Sequence, residues 1–184
     1  MKYTIKEKTV EVRQEVDILV VGGGPAGIGA ATSAARSGKK VMLLEKRGFL
    51  GGNITGAYVE TCNHFLHGTN FESDGIYREI EDKYKERFGK SHDIRPNSPH
   101  RFSSEYLKIF LDDFMRNEGV EVKFHSFVND VIIEDNKIEC VIIQSKQGPL
   151  AIKAKVIIDS TGDGDVAFSS GIPYEQGRDT DGLC

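Results

Sequence analysis

Apolar and polar positions change period along this chain, and the changes mark its elements. After a polar, charged N-terminal stretch, Asp17-Ile18-Leu19-Val20-Val21 is a short β-branched run that stops at three glycines, the pattern of a strand buried on both faces. Small residues dominate from Pro25 to Ser37, Pro25 suits a first helical turn, and Gly38-Lys39-Lys40 supplies a stop signal, so a helix is predicted there. Val41 to Glu45 is a second aliphatic run ending in an acid. Together, 17–45 predict a strand–helix–strand crossover with parallel strands.

Beyond it, 46–75 has no sustained period and is rich in Gly, Asn and Thr, which predicts loop or broken helix. Ile76, Ile80, Tyr84 and Phe88, with Tyr77 beside them, give an amphipathic helix closed by Gly89. Ser91 to Arg101, carrying Pro96 and Pro99, reads as a linker, so 46–103 form loop, helix and linker. A second helix starts at Ser104, with Tyr106, Leu107, Phe110, Leu111, Phe114 and Met115 on one face and Gly119 at its end, leading into a strand at 120–124. Three Val- and Ile-rich runs, 127–134, 137–144 and 150–154, are separated by short turn-forming pairs and triplets and predict an antiparallel meander. Val156 to Asp159 is a further buried strand, ending in Ser160-Thr161-Gly162-Asp163-Gly164-Asp165. The predicted fold is α/β: a Rossmann-like parallel sheet of strands near 17–21, 41–45, 120–124 and 156–159, flanked by helices, with the three-stranded meander as a crossover.

Composition narrows the function classes. A length of 184 residues allows one domain, and 39% hydrophobic with 28% charged residues is a folded composition. The net charge of −4 is well mixed, so no basic stripe exists to neutralise a phosphate backbone and nucleic acid is not an expected partner. No stretch is long and apolar enough for a signal peptide or membrane span. Cys62, Cys140 and Cys184 are too scattered for a disulfide framework or a metal site. The expected compartment is the cytoplasm. Asp163 and Asp165 resemble the start of a calcium loop, but Gly164 is misplaced and no bidentate Glu follows, so no metal is expected.

Chemistry concentrates at the first strand–helix junction. Gly22-Gly23-Gly24-Pro25-Ala26-Gly27 fits GxGxxG between a predicted strand and a predicted helix. In that context Gly22 permits a tight turn, Gly24 lets the backbone approach a pyrophosphate, and Gly27 lets the helix lie close on the strand. Glu45 ends the second strand at close to the spacing of about 20 residues expected for an acid that binds ribose hydroxyls, and it would repel a 2′-phosphate. Lys46 and Arg47 could flank the adenosine half. These residues suit FAD or NAD equally, and a catalytically silent dinucleotide-binding module also fits. No residue declares itself a catalytic base, although His64 and His67 lie in the glycine-rich loop where a histidine could shuttle a proton.

Strand, GGGPAG, helix, Glu-Lys-Arg, Gly51-Gly52, meander and Ser-Thr-Gly-Asp-Gly-Asp, taken together from Val16 to Gly177, resemble the FAD-dependent oxidoreductases of the glutathione-reductase-like superfamily, and more narrowly the family that includes heterodisulfide-reductase-like flavin subunits. The resemblance implies an FAD-binding domain transferring hydride between a small-molecule substrate and flavin N5, with an electron acceptor or donor as the other partner. It implies that Gly22, Gly24 and Gly27, with Pro25 and Ala26 between them, hold the pyrophosphate and Glu45 the ribose. Gly51 and Gly52 would face the diphosphate and ribityl region, Asn53 and Thr55 would approach the flavin, the Val128 backbone would meet adenine, and Thr161 and Gly162 would close over the cofactor. Where dithiol members carry a cysteine pair, this chain has Asn53-Ile54-Thr55, so a disulfide relay is not expected. Nor do three scattered cysteines give an iron–sulfur site. The family's substrate domain and C-terminal flavin segment would lie beyond Cys184, so the sequence reads as the N-terminal part of a longer enzyme.

Overall fold

The computed structural model describes residues 9–60, 66–67, 70–71, 74–89 and 102–183. The predicted crossover is present as β1 (Val12–Val21), α1 (Pro25–Arg36) and β2 (Val41–Leu44), with β2 parallel to β1. The loop stretch holds a four-residue helix, α2 (Asn53–Gly56), and a two-stranded ribbon, β3 (Leu66–His67) with β4 (Asn70–Phe71). Helices α3 (Ile76–Phe88) and α4 (Ser104–Asn117) follow their hydrophobic periods, then β5 (Glu121–Lys123), β6 (Phe127–Glu134), β7 (Lys137–Ser145), β8 (Gly148–Asp159) and α5 (Asp165–Ser169). Six strands form one mixed sheet in the order β5-β2-β1-β8-β7-β6.

Two boundaries differ from the sequence reading. β1 begins at Val12 rather than Asp17, because its first half pairs with 151–154 of β8. The third meander run and the last parallel run are one continuous strand, β8, antiparallel to β7 over its first half and parallel to β1 along its length. Lys155, which interrupts the apolar run, bonds across to Asp17 at 2.6 Å without breaking the ladder. At the tip between β6 and β7, Asp135 and Asn136 both take positive φ, 48° and 60°, the requirement of a tight type I′ hairpin.

The sheet cannot be flat. β5 and β6 are its opposite edges, five strand spacings or about 24 Å apart in a planar sheet, yet only 124–126 join them, and four residue steps reach about 14 Å. The meander therefore curls back over the sheet. One core lies on the helix side, where Val20, Val41 and Leu43 pack with Ile28, Ala31, Tyr84, Leu107, Phe110 and Met115. The other lies under the curl, where Leu19, Val21, Met42 and Leu44 share a cluster with Val128, Val131, Val141, Ile143 and Val166. The thiol of Cys140 is buried in a third, smaller cluster with Ile142 and Ala151.

Polar contacts tie the helices together at the opposite end from the glycine turn. Arg36 on α1 reaches both Glu79 on α3 and Glu118 after α4, with N–O distances of 2.7 to 2.8 Å. Arg36, and then Lys83, hold the Glu79 carboxyl down at about 2, and Arg36 lowers Glu118. A carboxylate depressed in the folded state adds stability above its unfolded value, about 4.5, and loses it as pH falls toward the folded value. The thermal midpoint should therefore drop between pH 4.5 and 2, and Glu79→Gln should flatten that part of the profile in a pH series of melting curves.

Candidate functional site

The curl leaves a cleft of about 410 Å³ at the carboxyl ends of β1, β2 and β8, where ligands bind in open α/β sheets. Its floor is the glycine turn. Gly22 has φ +105°, and a Cβ there would lie 2.3 Å from Ser160 O; a Cβ on Gly27 would lie 1.8 Å from Gly22 O. Glycine at both positions is required by backbone against backbone. Gly24 is different: a Cβ on it would meet only the Gly52 Cα, at 3.9 Å, so its outer side is open to a ligand.

α1 starts at this turn with Pro25 at its first position, no acidic residue in its first turn, and, among the described residues, no side-chain cap. Its leading N–H groups and positive end therefore face the cleft unsatisfied by the described residues.

Glu45 sits at the tip of β2 and is only 6% exposed. Its Oε2 accepts the Gly23 N–H at 2.8 Å and its Oε1 the Arg47 N–H at 2.7 Å, so the carboxylate staples the turn to β2. Each oxygen keeps a second acceptor direction, and the residue lines the cleft. The 124–126 link crosses the same tip: His125 N–H bonds Arg47 O at 3.1 Å and Ser126 N–H bonds Glu45 O at 3.0 Å. It delivers Ser126, Phe127 and Val128 to the cleft. β6 is an edge strand with a bulge between Val128 and Asp130, so among the described residues the backbone groups on its outer side have no neighbouring strand.

Of the residues singled out from sequence, Gly22, Gly24, Pro25, Ala26, Glu45, Lys46, Arg47, Gly52, Asn53, Val128, Thr161 and Gly162 line the cleft. Gly27 and Gly51 do not. Gly51, at φ +105°, donates its N–H to Gly23 O at 2.8 Å and lies against Thr55, and so ties the two glycine turns together. Thr55 is fully buried, its hydroxyl bonded to Leu50 O at 2.5 Å, so it braces the second turn from beneath. Arg47 is half-buried and donates to Gly52 O at 3.0 Å. His64 lies outside the described residues, as does the side chain of His67.

Sequence reasoning missed three contributors. Gly23 reads as a free position of GxGxxG, yet a Cβ there would lie 2.5 Å from Leu50 and 2.8 Å from Glu45 Oε2. Ser160 donates N–H and hydroxyl to Val21 O, at 2.8 and 3.0 Å, and joins the β8 turn to the glycine turn. Asp159 gathers the loop that follows it; an Asp two residues before a Thr at a strand end is an Asx-turn signal that could have found it.

Residues 17–184 match the model of the family described as FAD dependent oxidoreductase. The chain belongs to that family. Its members are enzymes and their cofactor is FAD. The chain is also 32% identical over 158 residues to thiamine thiazole synthase of Methanococcus vannielii, covering 80% of this chain and 56% of the relative, and 28% identical to the synthase of Pyrococcus horikoshii, covering 82% and 58%. It thus spans a little over half the length of these relatives. Among solved structures, THI4 of Thermovibrio ammonificans aligns with a TM-score of 0.59 at 22% identity, covering 84% of this chain and 61% of that one. L-proline dehydrogenase from P. horikoshii aligns with 0.59 at 16% identity, covering 92% and 63%. These likenesses show a shared fold. No helix among the described residues is long and apolar enough to cross a membrane.

Proposed function

We propose that this cleft holds FAD and that the chain is the dinucleotide-binding part of an oxidoreductase acting on a small organic substrate. The observation that carries the reading is the convergence on one cleft of an uncapped helix N-terminus, an open Gly24 and a buried carboxylate with acceptor capacity to spare. That donor and acceptor set fits a diphosphate joined to a ribose.

On this reading the N–H groups of Gly24 and Ala26 hold the diphosphate, and Gly22 and Gly27 shape the turn that aims them. Glu45 accepts the ribose hydroxyls and disfavours a 2′-phosphate. The Val128 backbone, on the edge strand β6, meets the adenine, with Lys46 and Arg47 beside it. Gly52 and Asn53 border the ribityl side, while Thr161 and Gly162 close the far wall. Bound there, FAD would supply two-electron redox chemistry, with the protein providing its binding, orientation and polarity.

The purified chain should carry or take up a yellow chromophore with the visible absorption of a flavin. A colourless chain that refuses FAD and binds NADH would favour an NAD-binding domain instead, and bound flavin that no donor bleaches would favour a silent module. The similarity to thiamine thiazole synthases favours a narrower reading, in which the same cleft serves that synthesis; complementation of a thiazole auxotroph by the gene tests it. Kinship with heterodisulfide-reductase-like flavin subunits would instead show as copurification with an iron–sulfur partner.

A further inference from the structure

Asp159 occupies the last position of β8, in register with Val21, the last residue before the glycine turn. Its side chain collects four donors. Oδ1 accepts the Thr161 N–H at 3.1 Å and the Thr161 hydroxyl at 2.8 Å, while Oδ2 accepts the Val166 and Ala167 N–H groups, both at 3.0 Å. The Thr161 hydroxyl in turn accepts the Asp165 N–H at 2.9 Å. The loop 160–165 is thus drawn into a ring around one carboxylate, closed at one end by Ser160 on Val21 and at the other by α5, whose Val166 is anchored in the core under the curl.

Two consequences follow. First, the Thr161 hydroxyl commits its one proton to Asp159, so it can offer the cleft no donor. Secondly, Thr161, Gly162, Asp163 and Asp165, which line the cleft, have their places set by a residue that is not among those lining it. Gly162 and Gly164 take positive φ, 88° and 72°, a conformation flexible in isolation and held here by the ring. We infer that Asp159 is a positioning residue for the cofactor cleft: its carboxylate fixes the loop 160–165 as the wall opposite Glu45, through Thr161. The inference rests on the FAD reading above and adds to it a residue and a role that neither motif nor spacing supplied.

Asp159→Asn keeps the shape but replaces one acceptor oxygen by an amide that cannot accept an N–H. Fluorescence titration with FAD should show affinity weakened about tenfold or more, with an altered visible circular dichroism of the bound flavin. Thr161→Val should weaken binding in the same direction and Thr161→Ser should restore it, because serine keeps the hydroxyl that links Asp159 to Asp165. Leu107→Ala, in the core on the helix side, is the control: it lowers the thermal midpoint while leaving FAD affinity and the flavin spectrum as in the unmodified chain. Wild-type affinity and spectrum in Asp159→Asn would overturn the inference whatever happens to the midpoint. Should that variant fail to fold, the threonine pair decides, and equal FAD affinity for Thr161→Val and Thr161→Ser would overturn it. An unmodified chain that binds no FAD at all would overturn the functional reading and this inference with it.

Discussion

Gly27→Ala is expected to abolish cofactor binding and to destabilise the chain by about 3 kcal/mol or more, the upper end of overpacking costs, because the added methyl cannot be absorbed by a rotamer change. Its Cβ would lie 1.8 Å from the carbonyl oxygen of Gly22, backbone that is itself tied to Leu44 O through the Gly22 N–H at 2.8 Å. Relief requires α1 to lift from β1, which moves the helix N-terminus away from the cleft and opens the packing of Ile28 and Ala31. Gly29, two residues on in the same helix, is the internal comparison. A Cβ there meets nothing within 4 Å, so Gly29→Ala should stabilise by about 0.5–1 kcal/mol through the unfolded chain and leave binding unchanged. Denaturant titration of both variants, with FAD binding measured in parallel, checks the pair.

Glu45→Gln should weaken FAD binding by about 1–3 kcal/mol and also lower the stability of the free protein. The double effect follows from the geometry. The carboxylate is a structural staple, accepting the Gly23 and Arg47 N–H groups, and on the present account it also receives ribose hydroxyls. An amide retains one acceptor oxygen and turns an N–H donor toward one of those two backbone N–H groups. A variant that melts earlier yet binds FAD with wild-type affinity would leave Glu45 as a staple alone and remove the ribose assignment.

Much of this architecture was legible because its causes are local. β1, α1 and β2 follow from an aliphatic run, small residues and a glycine stop; Ile76, Ile80 and Tyr84 announce α3 by their spacing. The glycine turn and Glu45 were legible for a related reason, since motif and spacing encode a strand–turn–helix–strand path of fixed length. What stayed hidden depends on contacts between distant segments. Val12 to Val16 look like leader until the first half of β8 pairs with them, and Lys155 looks like a strand end until Asp17 faces it. The curl that brings Val128 into the cleft comes from the short 124–126 link between opposite sheet edges, which only the strand order reveals. The inward roles of Gly51 and Thr55, expected at the cofactor, reflect the close stacking of the two glycine turns: a Cβ on Gly52 would lie 3.0 Å from the Gly24 Cα, leaving the neighbouring residues to brace the contact from beneath.

A crystal structure of the chain grown with FAD tests the central claim most directly. Diphosphate density against the Gly24 and Ala26 N–H groups, with the adenosine ribose hydroxyls within hydrogen-bonding distance of the Glu45 carboxylate, is the result expected. FAD bound elsewhere on the molecule, or seated in the cleft with its ribose away from Glu45, would contradict the account.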